Sequence, residues 1–280
     1  MKFYDAHNHL QDDRFGGRQS ELLAACAKSG VVRMVVNGAS EADWPQVLTL
    51  ARQFGGAIAS GAATFPASLS QVVPSFGYHP WYLNESSPDW LANLERFLDS
   101  VPCAIGEIGL DRWKPGLGYA GQEEVFLAQL RLAAGRNLPV SIHCLQAWGH
   151  LLELLQNNPR PAGGFALHSF GGSAEMIPAF ARLGAYFSFP GYFLQEHKRK
   201  QRETFKQVPP DRLLIETDAP DQHLPAERIL FPLADAAGKP LNHPANLPAV
   251  YSGLAEFLGE RPESLAARVE ENFLRIFGGI

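Results

Sequence analysis

Apolar, β-branched and aromatic residues fall into short runs along this chain, separated by longer stretches with helical spacing. Runs near Phe3–His9, Val31–Asn37, Ser75–His79, Ala104–Leu110, Val140–His143, Phe165–His168, Tyr186–Phe189 and Leu213–Thr217 predict eight strands. Helical patterns are clearest over Ser20–Ser29, Trp90–Leu98, Gln122–Arg136, Trp148–Gln156 and Ala174–Leu183. Pro248–Leu258 and Pro262–Phe277 read as a helical cap at the C-terminus, and Gly30, Gly135 and Gly184 stand where helix-ending signals belong. Strands alternating with crossover-length segments predict an α/β fold: a TIM (β/α)8 barrel, distorted, in one domain spanning 1–280. Gly55–Gln71 fits this rhythm poorly. It is rich in glycine, alanine and serine and long for a helix–strand connection, so it reads as an insertion or irregular loop.

Composition narrows the class without fixing the chemistry. A length of 280 residues suits one large barrel, and 46% hydrophobic with 19% charged residues describes an ordinary globular chain. The N-terminus lacks a targeting pattern and no segment approaches a membrane span, so the expected location is cytoplasmic. Cys26, Cys103 and Cys144 are odd in number and irregularly spaced, which predicts neither a disulfide framework nor a cysteine zinc site. A formal charge of −5 argues against a general duplex-coating protein but leaves room for a local basic patch. Nothing in the pattern calls for an obligate protein partner.

The chemistry begins at Asp5-Ala6-His7-Asn8-His9. Residues two apart on a strand share a face, so His7 and His9 can converge on one metal ion, with Asp5 on the same face one step behind. A carboxylate between glycines, Glu107, stands at the C-terminal end of the fourth predicted strand. His143 and His168 end the fifth and sixth, and Asp218 follows the eighth. In a closed barrel the C-terminal strand ends share one rim, where barrel enzymes place their chemistry. Four imidazoles and two carboxylates suit zinc, manganese or iron(II), with magnesium less comfortable on histidine.

At this point the chain resembles the TatD family of metal-dependent hydrolases, a branch of the amidohydrolase-like barrels. The matching motifs are Asp5-Ala6-His7-Asn8-His9, Gly77-Tyr78-His79-Pro80, Gly106-Glu107-Ile108-Gly109-Leu110-Asp111, Ile142-His143, His168-Ser169-Phe170 and Glu216-Thr217-Asp218-Ala219-Pro220. Asn242-His243-Pro244-Ala245-Asn246 and Asn272-Phe273-Leu274-Arg275-Ile276-Phe277 look like the family's C-terminal signatures, so the likeness runs from Asp5 to Phe277.

The resemblance implies two divalent metal ions, zinc, manganese or magnesium. His7, His9 and Asp218 would hold one, His143 and His168 the other, and Glu107 would bridge them. It further implies that His79 lies near the substrate rather than on a metal, and that Asp218 takes the proton of the attacking water. Asp5 and Glu216 have the strand parity of neighbouring ligands, which fits either support of those ligands or a deeper polar layer of the barrel. Two divalent cations against two carboxylates leave a positive centre that attracts a phosphodiester, and paired metals can clamp the attacking and leaving oxygens. The implied activity is phosphodiester hydrolysis of the DNase type, 3'-5' exonuclease-like, on single-stranded DNA or DNA ends.

Three departures bear on substrate. Leu145 stands where the family commonly carries an arginine, His243 replaces the usual glutamate, and Arg112-Trp113-Lys114-Pro115 replaces aromatic and small residues. Arg112 and Lys114 can restore positive charge, with Trp113 as a stacking surface; a solvated loop with a packed tryptophan is the simpler reading. Trp81 and Tyr82 offer the same pair of readings. The run His197-Lys198-Arg199-Lys200-Gln201-Arg202 reads first as an exposed helix face. Two other functions compete: hydrolysis of a C–N or carboxyl-ester bond in a small molecule, and a non-catalytic metal-binding scaffold. Glutamate at 107 favours the phosphoesterase branch over the first, and the complete ligand set disfavours the second.

Overall fold

The computed structural model describes residues 1–55 and 69–280. Eight parallel strands pair in sequence order: β1 (Phe3–Asn8), β2 (Val31–Asn37), β3 (Gln71–Phe76), β4 (Ala104–Asp111), β5 (Val140–Leu145), β6 (Phe165–Leu167), β7 (Ala185–Pro190) and β8 (Leu213–Glu216). β1 and β8 meet just past their ends, where the Asp218 amide donates to the His7 carbonyl (3.0 Å) and the His9 amide to the Ala219 carbonyl (2.8 Å). Helices α1 (Gln19–Lys28), α2 (Trp44–Phe54), α3 (Trp90–Leu98), α4 (Tyr119–Arg136), α5 (Trp148–Asn157), α6 (Ile177–Arg182) and α7 (Arg199–Thr204) lie between strands. The TIM-barrel expectation holds. Among the described residues no helix is long and apolar enough to cross a membrane.

Strand residues of one parity, among them Met34, Val36, Ile105, Ile142, Leu167, Phe187 and Ile215, pack outward in the large apolar core shared with the helices. Opposite positions build a smaller cluster of Tyr4, Ala6, Val35, Val73, Ala166, Tyr186 and Leu214. The C-terminal pair α8 (Leu247–Leu258) and α9 (Pro262–Phe277) forms the expected cap. Phe273, Ile276 and Phe277 of α9 join that smaller cluster and close one end of the barrel. The other end is left for polar chemistry. Between β8 and α8, β9 (Leu233–Ala234) and β10 (Pro240–Leu241) form a small antiparallel pair.

Three expectations need correction. β3 runs over Gln71–Phe76 rather than Ser75–His79: Pro74, a residue that normally argues against a central strand, pairs in register with Val36. α2 was not foreseen, although Pro45 in its first turn and the buried Val47, Leu50, Ala51 and Phe54 support it. Glu107 lies inside β4 rather than at its end, where the pairing to β5 is irregular between Ile105 and Ile108. Of the anomalous segment Gly55–Gln71, residues 56–68 lie outside the described residues, and its end Gln71 opens β3.

Candidate metal centre

Glu107 is 3% exposed and faces histidines with both carboxylate oxygens. Oε2 lies 3.4 Å from His7 Nε2 and 3.3 Å from His9 Nε2. Oε1 lies 3.1 Å from His143 Nδ1, and 3.4 Å from both His168 Nε2 and His79 Nε2. Asp218 Oδ1 completes the first group, 3.7 Å from His7 Nε2 and 3.6 Å from His9 Nε2. All six residues expected as ligands are therefore gathered around one carboxylate. β4 reaches them because Gly109 passes so close to β5 that a Cβ there would sit 1.9 Å from the His143 carbonyl oxygen.

The outer nitrogens fix which atoms face inward. His9 Nδ1 is 2.8 Å from the Asn37 carbonyl, His143 Nε2 is 3.0 Å from Asp111 Oδ2, and His168 Nδ1 is 3.2 Å from Glu216 Oε1. Those partners only accept, so the outer nitrogens donate, and the inner ones face Glu107 either as protonated donors or, in the neutral rings, as bare lone pairs free for a metal ion. His7 Nδ1 meets the Ser141 hydroxyl at 2.8 Å. Lone pairs facing a carboxylate repel unless a positive charge, a proton or a metal ion, lies between them. His7 and His9 make the point again, with Nε2 atoms 3.3 Å apart. Ligands roughly 2.1 Å from a tetrahedral ion are about 3.4 Å apart, so the spacing fits a divalent cation in each half of the cluster.

His79 is wired the other way. Its Nδ1 accepts the Trp81 amide at 3.2 Å, which puts the ring proton on Nε2 and makes that nitrogen a donor toward Glu107. Although His79, Glu107 and His143 lie close enough to share an ion, this tautomer takes His79 off the ligand set. Burial lowers its pKa to about 4 and keeps the ring neutral.

The cluster's charges express the same demand. Burial alone would raise Glu107, but His79, His168 and His7 hold it well below the usual carboxylate range. Burial opposes charging His9 and His168, yet neighbouring carboxylates lift them to about 9 and about 10. Asp218 is pushed up to about 6 by burial, against the pull of His168 and His9.

Several supporting residues were not singled out from sequence. Asp111 orients His143 and also accepts Trp81 Nε1 (2.6 Å) and the amides of Trp113 (2.7 Å) and Lys114 (2.9 Å). Gln222 Nε2 donates to Asp218 Oδ2 (2.6 Å) and Ser169 Oγ (2.7 Å), and the Ser169 hydroxyl and amide both donate to Glu216 Oε1. Asp218 and the ring of His168 thus belong to one hydrogen-bonded chain. Its members Ser169, Asp218 and Gln222 all sit at positive φ, 44°, 51° and 49°. Such backbone costs about 1–2 kcal/mol per residue and persists where the surroundings enforce it. Asp5 is fully buried below the cluster and supports a ligand-bearing segment. Pairing shifts register between Asp5 and Asn8, and the Asp5 carboxylate accepts the Thr217 amide and hydroxyl, the His7 amide and the Asn8 side chain. It supports His7 through the backbone, not the imidazole.

The cluster opens into a cleft of about 740 Å³ lined by His9, Asp12, Arg14, Asp43, His79, Trp81, Tyr82, Trp113, Leu145 and Gln222 among others. Leu145 thus faces the cleft where an arginine was expected. His243 does not line it: its Nδ1 accepts the Ala245 amide and its ring lies 5.4 Å from that of Phe231. None of 197–202 lines it either.

A parallel barrel with imidazoles and carboxylates gathered at its open end defines the class of barrel metal-dependent hydrolases. Within that class the chain belongs to the family described as TatD related DNase, whose sequence pattern matches residues 4–278. It is 30% identical over 284 aligned positions to the 3'-5' ssDNA/RNA exonuclease TatD of Escherichia coli strain K12, covering 98% of each chain. It is 28% identical to the uncharacterized metal-dependent hydrolase YjjV of the same strain, over 99% of this chain and 98% of the relative. The crystal structure of YjjV, a TatD homolog, matches it with a TM-score of 0.84 at 26% identity, covering 99% and 98% of the two chains.

Proposed function

We propose that this TatD-family hydrolase holds two divalent ions and removes nucleotides from the ends of single-stranded nucleic acid by phosphodiester hydrolysis, working as one catalytic unit over 1–280. The observation that carries this reading is the division of labour at Glu107, with Oε2 toward His7 and His9 and Oε1 toward His143 and His168. His7, His9 and Asp218 would hold the first ion and His143 and His168 the second, with Glu107 shared between them. Nitrogen-rich donors favour zinc or manganese over magnesium. Bound there, the ions supply Lewis acidity to the phosphoryl oxygens and acidify water.

The chain's own groups do the rest. Gln222 pins Asp218 Oδ2, which leaves Oδ1 turned into the cluster as proton acceptor for the attacking water. His79 offers its Nε2 proton to a phosphoryl or leaving-group oxygen, a role its tautomer permits and metal ligation does not. The relatives named as 3'-5' ssDNA/RNA exonucleases support nucleic acid as the substrate. The three free, buried cysteines suit a reducing cytoplasm.

The test is metal analysis, reconstitution and assay on end-labelled single-stranded DNA, a generic phosphodiester and an amide panel. We expect stepwise shortening of the DNA from one end. Turnover of amides or carboxyl esters with intact DNA would overturn the proposal, as would turnover of nothing by fully metallated protein.

A further inference from the structure

The cleft lining and the loop beside it carry opposite chemistry. Over β8, β1 and β2 and the segment after β3, the lining includes Asp12, Asp13, Asp43, Asp221 and Glu85. Arg14 is the only lysine or arginine among the lining residues described, and it is spent: it meets Asp12 at 2.8 and 2.9 Å and Asp221 at 2.7 and 2.9 Å. The loop after β4, which packs on the segment after β3 through Trp81, presents Trp113, 59% exposed and lining the same cavity. Beside it lie Arg112, its guanidinium 3.7 Å from the Tyr119 ring centre, and Lys114, its ammonium 4.4 Å from that of Trp81. Neither cation has a carboxylate within ion-pair distance among the described residues. Both line a second recess next to the cleft, with Leu117 and Tyr119. Asp111 ties this loop to His143, so its position is set by the metal centre itself.

We propose that a single strand leaves the metal centre over the β4 loop, with a base stacked on Trp113 and backbone phosphates on Arg112 and Lys114. The acidic part of the lining accepts only a terminal nucleoside, because a further phosphate there meets Asp13, Asp43 and Glu85, which have no cation partner among the described residues, beside two carboxylates that share the single guanidinium of Arg14. This rests on the nuclease reading and adds to it. End-directed cleavage then follows from charge, and the strand's positive partners are this chain's own departures from its family rather than an arginine at Leu145.

The test is binding of a short, internally labelled phosphorothioate oligothymidylate to metal-reconstituted protein, followed by anisotropy across a salt series. Trp113→Ala should weaken binding about 5- to 150-fold, the range of one lost base–aromatic stack, and Trp113→Phe should recover most of it. Arg112→Ala and Lys114→Ala should each lower the slope of log affinity against log salt by about 0.7. Lys28→Ala, at the opposite end of the barrel, should change neither quantity, and thermal midpoints should confirm that each variant folds. Asp13→Asn with Glu85→Gln should tighten binding of a circular single strand at low salt, a gain that disappears at high salt.

If wild type binds and the three β4-loop variants bind as tightly, the path is wrong while the nuclease reading stands. No gain for the circle in the acidic-wall variant overturns the end-restriction in the same way. If wild type binds no strand, both readings fall together.

Discussion

At one end of the barrel Tyr4, Phe273 and Phe277 fill the lumen with aromatic carbon, ring centres 5.0 and 5.2 Å apart, and Tyr4 closes the arrangement with a 2.7 Å bond to Glu270. At the other end the same sheet carries Asp218, Glu107 and four histidines that meet lone pair to carboxylate, alongside three residues at positive φ. The first end is closed by packed apolar rings. The second concentrates buried charge and backbone strain, and protons on the imidazoles or bound cations bring that charge into balance. Stability and chemistry are therefore separable along the barrel axis, and substitutions at the two ends should fail in different ways.

The largest effect is expected at Asp218. Asp218→Asn nearly keeps its shape but removes the basic oxygen, so kcat should fall roughly 10²–10⁴-fold with metal content and thermal midpoint retained. Near-normal kcat in fully metallated protein would move proton acceptance to another group, such as His79. At the opposite end, Phe273→Ala should cost about 3–5 kcal/mol in denaturant unfolding while kcat per folded molecule stays at the wild-type value. A fall in kcat without loss of stability would contradict the separation of the two ends.

Gln222 sharpens the comparison, because it touches no expected metal ligand other than Asp218. Gln222→Met keeps its length and removes both donated hydrogen bonds, so kcat should drop about 10- to 100-fold. A change in thermal midpoint with unchanged kcat would make it a purely structural residue.

A smaller effect is expected from pH. Burial opposes charging His9 and His168, but carboxylates raise them to about 9 and about 10, above the ordinary imidazole value of roughly 6.5. The stabilisation is therefore complete below about pH 6.5 and is lost as pH rises through about 9–10. Chelated protein should show a falling thermal midpoint across that window. Metal-loaded protein should hold its midpoint, because metal favours the deprotonated rings. Parallel curves for the two forms would contradict this account.

The six expected ligands were legible because each lies on or just beyond a run that strand patterning identifies, and a barrel brings such positions together whatever the helices do. Glu107 joins the cluster for a partly different reason, since it lies within β4, two residues before the Gly109 that permits β5's close approach. What escaped depends on partners distant in sequence. Gln222 and Ser169 are ordinary polar residues until the loops after β6 and β8 meet, and Asp111 has meaning only beside His143. The way Asp5 gives its support was not legible, because strand parity assumes unbroken pairing and β1 breaks register beyond it. Pro74 hid the start of β3 in a similar way, by placing a strand-breaking residue inside a real strand.

The central claim is that the cluster is a two-ion site divided by Glu107, and the most direct test is a crystal structure of zinc-saturated protein with anomalous scattering collected at the zinc edge. The account predicts two peaks about 3.5–4 Å apart, one beside His7 and His9, the other beside His143 and His168, with a Glu107 oxygen on each. A single peak under saturating zinc, or Glu107 turned away from both ions, would contradict it.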